Sequence, residues 1–198
     1  MSTARPHHLQ SVTKHRKAPL CAPSSAPPLP PSSSPRSPAA ALATATPASA
    51  ASYQCRTSSH TVDDPTYNGP DSDNWDLTVT LCAKRSGGYI YSTAKVNWDG
   101  PYTAKNRSTL TFNNAKFQLQ TKHSVRGTDP VVRSAAYTGL EHALEHSSGN
   151  GNGSYETGTT AYKAGSGRYL ADGYIQLDWS GDGKGYRSPV LFTASPNV

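Results

Sequence analysis

The segment HALEH has the residue types and spacing of an inverted zinc-peptidase motif. On a helix, His142 and His146 would lie one turn apart and could bind one zinc ion, and Glu145 could accept a proton from a zinc-bound water. The same helix would turn both histidines away from the apolar stripe of Leu140 and Leu144, towards solvent. No long helix is predicted downstream to provide a third ligand. We favour a solvated helix face and keep a metal-dependent hydrolase as the alternative.

The segment DWSGDGKG begins like a calcium-binding loop. Asp178, Ser180 and Asp182 place oxygens at the first, third and fifth positions, and Gly183 stands at the sixth, where such a loop bends sharply. The twelfth position, which carries a bidentate glutamate in those loops, is Pro189. The three oxygen-bearing side chains are therefore candidate metal ligands, but we favour a glycine-rich turn between two strands that needs no ion.

A second acidic segment, VDDPTYNGPDSDNWD, could also surround a cation. Its carboxylates are Asp63, Asp64, Asp71, Asp73 and Asp76. The Pro, Gly and Ser residues among them favour a solvated loop. The sequence contains no nucleophile elbow, Gly-rich phosphate loop or Ser/His/Asp pattern. We therefore predict no catalytic residue and no cofactor, and we favour a protein that is not an enzyme.

Each of the three tryptophans stands beside an Asp or Asn near the end of a predicted strand. Sugar-binding sandwiches use such pairs, because the apolar face of a sugar stacks on the ring while its hydroxyls bind the polar neighbours. Trp98 and Trp179 share strand faces with Val96 and Leu177, so we predict that both are buried. The candidate ligand-binding residues that remain are Trp75, Tyr89 and Tyr91.

The elements that must position these side chains are mostly β-strands. WDLTVTLCAK and YIYSTAKVNW both alternate apolar and polar residues, and the short connection RSGG between them predicts a β-hairpin. Further strand-like runs lie at 108–112, 116–125, 173–179 and 187–194. About seven short strands with Gly and Pro turns predict an all-β fold, an antiparallel β-sandwich or barrel-like domain.

One segment departs from this pattern and predicts a short amphipathic helix. TDPVVRSAAYTGLEHALEHSSG opens with Asp129 as a candidate N-cap and Pro130 at the first helical position. The segment predicts either one helix or two short helices that are broken at Gly139. Its apolar stripe at helical spacing consists of Val132, Ala136, Leu140, Ala143 and Leu144.

Composition and charge change sharply near residue 51. The formal net charge is +6, and residues 1–50 hold five of the 19 bases and none of the 13 acids. Residues 51–198 are therefore nearly neutral and lack the concentrated positive field that nucleic-acid binding needs. No apolar run approaches the roughly 20 residues of a membrane-spanning helix. We predict one domain at 51–198 after a Pro/Ser/Ala-rich leader at 1–50.

The ends of the leader resemble a secretory signal peptide. KHRK resembles the charged start, and ASA before Ala51 resembles a cleavage site. The middle, PLCAPSSAPPLPPSSSPRSP, is too rich in Pro and Ser for an apolar signal core. It is either a disordered linker or the result of a wrong start site or frame slip, and we favour the second explanation.

The cysteines agree with export. Cleavage at Ala50 would remove Cys21 and leave Cys55 and Cys82 as an even pair. In an oxidising compartment this pair should form a disulfide, and the alternative is two buried thiols.

The segments CRTSS, DNWDLTVTLCA, NWDGP and ADGYIQLDWSGDGKG resemble small secreted proteins of uncharacterised function from actinomycete-type bacteria. The resemblance covers most of residues 53–198. It implies secretion, a Cys55–Cys82 disulfide and a sandwich fold, and it transfers no catalytic residue. We predict a secreted, extracellular, non-catalytic binding or interaction module, with a polysaccharide such as a cell-wall component or an extracellular protein as its partner.

Overall fold

Alternating apolar residues build two sheets that pack face to face. The computed structural model of the chain describes residues 51–67, 74–101 and 110–198, so the leader, Asp71 and Asp73 lie outside the described residues. The elements in chain order are β1 (Gln54–Val62), β2 (Trp75–Ser86), β3 (Tyr89–Asp99), β4 (Phe112–Ser124), β5 (Val131–Tyr137), α1 (Gly139–Glu145), β6 (Asn152–Glu156), β7 (Thr160–Lys163), β8 (Arg168–Trp179) and β9 (Val190–Leu191).

The first sheet has the order β1-β2-β3-β6, and β7 also pairs with β3 beyond the end of β6. The second sheet has the order β5-β4-β8-β9. Every pairing is antiparallel. The prediction of an all-β antiparallel sandwich with one short helix is therefore confirmed.

The predicted hairpin is formed by β2 and β3. Its two turn residues, Gly87 and Gly88, have φ angles of 56° and 77°, which a side chain would disfavour. Positive φ at both central residues is typical of the type I′ turn that joins twisted strands most directly. The turn fixes the register of the hairpin, which pairs Lys84 with Tyr91 and Ser86 with Tyr89.

The core lies between the sheets and consists of the inward-facing residues of the long strands. Burying one such large apolar side chain contributes roughly 1.5–3 kcal/mol. The indole nitrogen of Trp98 is satisfied at the core's edge, where it donates to Ser147 Oγ over 2.8 Å. The largest fully buried side chains are Trp75, Trp179, Phe112, Phe117, Leu77, Leu81, Ile90, Leu119, Leu140, Leu144, Ile175 and Val79.

The first half of the predicted helix is a strand instead. Val131–Tyr137 forms β5 at the edge of the second sheet and pairs with β4, and only Gly139–Glu145 is helical. Asp129 does not cap a helix, because its Oδ1 accepts a hydrogen bond from Val125 N (2.9 Å) and so closes the turn between β4 and β5. The ladder of hydrogen bonds to β4 outweighs the local helical pattern.

The Cys55–Cys82 disulfide is present and joins directly paired positions of β1 and β2, with a Cα–Cα distance of 4.1 Å. It ties the edge strand β1 to the sheet. Within the described part of the chain, no helix is both long enough and apolar enough to cross a membrane.

Candidate binding surface

The outward face of the first sheet carries rows of polar side chains. Three pairs of side chains on β1 and β2 form cross-strand hydrogen bonds, which are Thr57–Thr80 (2.7 Å), Ser59–Thr78 (2.7 Å) and Thr61–Asp76 (2.6 Å). Cross-strand pairs of this kind hold neighbouring strands in register. They make a flat hydroxyl-rich surface on the side of the sheet that faces away from the core.

One end of this face, near the β2–β3 turn, is rich in tyrosine and lysine. We call it the tyrosine–lysine surface and define it by Tyr53, Lys84, Tyr89, Tyr91 and Lys163. The Lys84 ammonium lies 4.5 Å from the centre of the Tyr53 ring and 5.4 Å from that of Tyr91. Tyr89 and Tyr91 have ring centres 6.3 Å apart, and Tyr89 is 41% exposed. Lys163 on β7 pairs with Tyr89.

A depression of about 190 Å³ adjoins the tyrosine–lysine surface on the same sheet face. At its far side Lys95 and Glu156 form an exposed ion pair with a nitrogen–oxygen distance of 3.1 Å. The depression is lined by Thr80, Cys82, Thr93, Ala94, Lys95 and Glu156. The hydroxyls of Thr80 and Thr93 therefore line a depression next to the tyrosines of β3.

Arg85 anchors the end of β2 on the inner side of the sheet. Its guanidinium donates to the carbonyl oxygens of Gly165 (3.3 Å) and Gly167 (2.5 Å). It also lies 5.3 Å from the ring centre of Tyr169, which stacks on His123 at 4.7 Å. These contacts hold the strand end that carries Lys84, so the outward side chains sit on a fixed backbone.

The structure places the candidate tryptophan in the core. Trp75 is only 1% exposed and packs against Phe112, with ring centres 5.3 Å apart. Its ring is enclosed by the core, so Trp75 is not part of the outward surface that a ligand could contact. The predicted burial of Trp98 and Trp179 is confirmed, with 5% and 1% of their surface exposed.

The HALEH segment lies on α1 but does not gather its side chains around a single point. His142 and His146 are exposed and lie against each other, with ring centres 3.9 Å apart. Glu145 serves the backbone instead, because its Oε1 accepts hydrogen bonds from the amides of Thr111 (2.9 Å) and Phe112 (2.8 Å). The carboxylate that the alternative hypothesis needs as a base therefore holds the start of β4.

The DWSGDGKG segment forms a turn in which the Asp182 carboxylate is already paired with other groups of the chain. Asp182 accepts a hydrogen bond from Lys184 N (2.8 Å) through Oδ1 and pairs with Arg187 Nη2 (2.8 Å) through Oδ2. Asp178 lies beside Asn114, whose amide nitrogen is 3.4 Å from Oδ2. Gly181 and Gly183 have φ angles of 78° and 66°, which the turn requires.

Arg187 also joins this turn to the acidic loop after β1. Its Nη2 lies 2.8 Å from Asp64 Oδ2 and 3.1 Å from Thr66 Oγ1. Hydrogen bonds from Thr66, together with the charges of Arg187 and Lys184, hold the pKa of Asp64 below its ordinary value. A cleft of about 250 Å³ lies alongside, lined by Val62, Asp63, Asp64, Pro65, Leu177, Trp179, Arg187, Ser188 and Val190.

Among residues 51–67, 74–101 and 110–198, no three or more His, Cys, Asp or Glu side chains come together at a spacing that could hold a metal ion. Asp178 and Asp182 of the DWSGDGKG segment are thus close in sequence but belong to no such group. Asp63, Asp64 and Asp76 of the acidic segment also do not form one.

Sequence reasoning identified Tyr89 and Tyr91 but missed their neighbours. Lys84 could have been predicted from the sequence, because the Gly87–Gly88 turn fixes a hairpin register in which Lys84 faces Tyr91. Tyr53 and Lys163 could not, because Tyr53 precedes β1 and Lys163 lies on β7, and the pairing of both strands depends on contacts distant in sequence.

No protein-family model matches the chain, and no curated protein matches it. One solved structure with a partial match is the crystal structure of the KRT10-binding region domain of the pneumococcal serine rich repeat protein PsrP. The two have 12% sequence identity and a TM-score of 0.29, and the match covers 73% of this chain and 99% of that one. A TM-score this low does not indicate a shared fold.

Proposed function

We propose that the chain is a secreted, non-catalytic domain that binds an extracellular polysaccharide on the tyrosine–lysine surface. The observation that carries the proposal is the placement of Tyr53, Tyr89 and Tyr91 on the outward face of the first sheet, beside rows of hydroxyls. An exposed ring can stack on the apolar face of a sugar while neighbouring hydroxyls bond to those of the sugar.

The disulfide supports an extracellular location, because such bonds persist in oxidising compartments and are rare in the cytosol. A non-catalytic role is supported because the acidic side chains that a catalytic reaction would need are already engaged in structural contacts. Glu145 binds the backbone of β4, and Asp182 pairs with Arg187. The metal-dependent hydrolase is therefore not the function that we propose.

The test is retention of the full-length chain on a panel of insoluble and gel-embedded polysaccharides. We expect Tyr89→Ala and Tyr91→Ala to weaken binding by roughly 2- to 12-fold each, since ring stacking contributes about 0.5–1.5 kcal/mol. Tyr186→Ala is the matched control. Tyr186 is 38% exposed and, like Tyr91, lies beneath a lysine, with Lys116 Nζ 4.2 Å from its ring centre.

Tyr186 belongs to the other side of the sandwich, because Lys116 lies on the outward face of the second sheet. Its loss should leave retention unchanged. Retention that falls equally in all three variants would contradict the proposed surface. If the chain binds none of the polysaccharides but binds an extracellular protein tightly, its partner is a protein and not a polysaccharide.

A further inference from the structure

We infer that the polysaccharide is acidic and is built from pyranose rings that carry carboxylates, such as a uronic acid polymer. This inference rests on the proposed function and adds the charge of the ligand to it. It comes from the two lysines of the tyrosine–lysine surface and from the distribution of carboxylates around them.

Lys84 lies between two aromatic rings. Its ammonium is within 5.4 Å of the ring centres of both Tyr53 and Tyr91, and within the described ranges it forms no ion pair with a carboxylate. The ring faces attract the cation and restrict its position. The charge is thus held at the rings on which a sugar would stack.

Lys163 adds a second exposed charge at the same end of the face. It pairs with Tyr89 across β3 and β7, so both side chains point outward. Lys84 and Lys163 flank the two tyrosines of β3 from opposite sides, because β2 and β7 are the neighbours of this part of β3. A ligand on Tyr89 and Tyr91 would therefore have a cation on each side.

Within residues 51–67, 74–101 and 110–198, the carboxylates of this sheet face are either paired or far from the tyrosine–lysine surface. Glu156 is paired with Lys95, which is four residues from Tyr91 along β3. Asp76 and Asp99 face each other at the opposite end of the sheet, and Asp99 is eight residues from Tyr91. Eight residues of strand span roughly 26 Å, well beyond the screening length of about 8 Å at physiological salt. The field at the tyrosine–lysine surface is therefore positive.

Ring stacking and charge pairing together select one ligand chemistry. A neutral glucan offers rings but no charge for Lys84 and Lys163. A glycerol phosphate polymer offers charge but no ring for the tyrosines. A uronic acid polymer provides both in every unit, so a ring stacked on Tyr91 can bring its carboxylate to Lys84.

The test compares polygalacturonate with fully methyl-esterified polygalacturonate, which has the same rings without the charge. The full-length chain should bind the acid form, lose most of that binding as the ester, and release the acid form as salt rises. Lys84→Gln and Lys163→Gln should each weaken binding to the acid form by roughly 2- to 5-fold, and Lys84→Arg should retain it. Lys116→Gln on the other sheet is the matched control and should have no effect.

Four results would overturn the inference. Equal binding to acid and ester, lost in Tyr89→Ala, would refute the acidic ligand and leave the proposed function standing. Equal binding to a glycerol phosphate polymer would refute the need for a sugar ring. Binding to the acid form that resists Lys84→Gln and Lys163→Gln would move the site elsewhere. Failure to bind any polysaccharide of the panel would instead overturn the proposed function and the inference with it.

Discussion

Arg187 forms ion pairs with one carboxylate from each of the two acidic segments. One guanidinium nitrogen lies 2.8 Å from both Asp64 Oδ2 and Asp182 Oδ2. The positive charge that a calcium ion would bring to Asp182 is thus provided by a side chain of the chain itself. Side-chain exposures of 15% for Asp64 and 8% for Asp182 show that this pairing is largely shielded from solvent.

We therefore expect the stability of the protein to be independent of calcium. The melting temperatures in excess calcium and in excess chelator should differ by less than about 1 °C. Asp182→Ala should lower the melting temperature by roughly 3–8 °C in both conditions, because Lys184 N and Arg187 lose an acceptor. Differential scanning calorimetry measures both. A calcium-dependent rise in the parent that disappears in Asp182→Ala would show that the turn binds the ion.

At the scale of elements, α1 and β4 are joined through Glu145. The two amides that it binds, those of Thr111 and Phe112, stand at the start of β4. Bonds to a charged acceptor are stronger than those between neutral groups. The short helix therefore holds the start of the longest strand of the second sheet through these hydrogen bonds, and it also buries Leu140 and Leu144 against the core.

Glu145→Ala should destabilise the fold by about 2 kcal/mol, because two buried or half-buried amides lose a charged acceptor. Urea unfolding followed by tryptophan fluorescence measures the change. His142→Ala is the control on the same helix and should change stability by less than about 0.5 kcal/mol, since its side chain is exposed. Unchanged stability in Glu145→Ala would refute its structural role. Stoichiometric zinc that is lost when His142 and His146 are changed to Ala would instead support the metal-dependent hydrolase.

The elements that the sequence predicted well are those whose signal is local. Alternation identifies β2 and β3, and the Gly87–Gly88 turn joins them. The segment 131–137 was misassigned because its ladder with β4 is a tertiary contact that a helical stripe does not reveal. The predicted run 187–194 contains only β9, Val190–Leu191, and the chain after it contacts β8 through separate backbone bonds at Phe192, Ser195 and Val198.

The candidate surface was also predictable only in part, because local sequence patterns do not reveal tertiary contacts. Strand alternation places Tyr89 and Tyr91 on the outward face, and it places Trp75 on the inward face with Leu77 and Val79. The nearby asparagine and aspartate favoured a sugar-binding role for Trp75, and the core contacts outweigh them.

At the scale of the whole molecule, the disulfide limits how far the edge of the first sheet can open. β1 is largely exposed, so few buried side chains hold it. The bond closes a loop over a sequence separation of 27 and would stabilise the fold by about 3.5 kcal/mol in the chain-entropy model. Tyr53 stands just before β1, so the disulfide also retains one ring of the tyrosine–lysine surface.

A protein that depends on this bond should be made for an oxidising compartment, and we predict export with cleavage at or near Ala50. N-terminal sequencing of the protein recovered from the culture medium of its source should find a start near Ala51. Its intact mass should increase by that of two hydrogens on reduction, because Cys55 and Cys82 are the cysteines of residues 51–198. Protein that is treated with a thiol label before reduction should remain unlabelled. A chain in the medium that retains residues 30–35, or one whose two thiols label freely, would contradict this prediction.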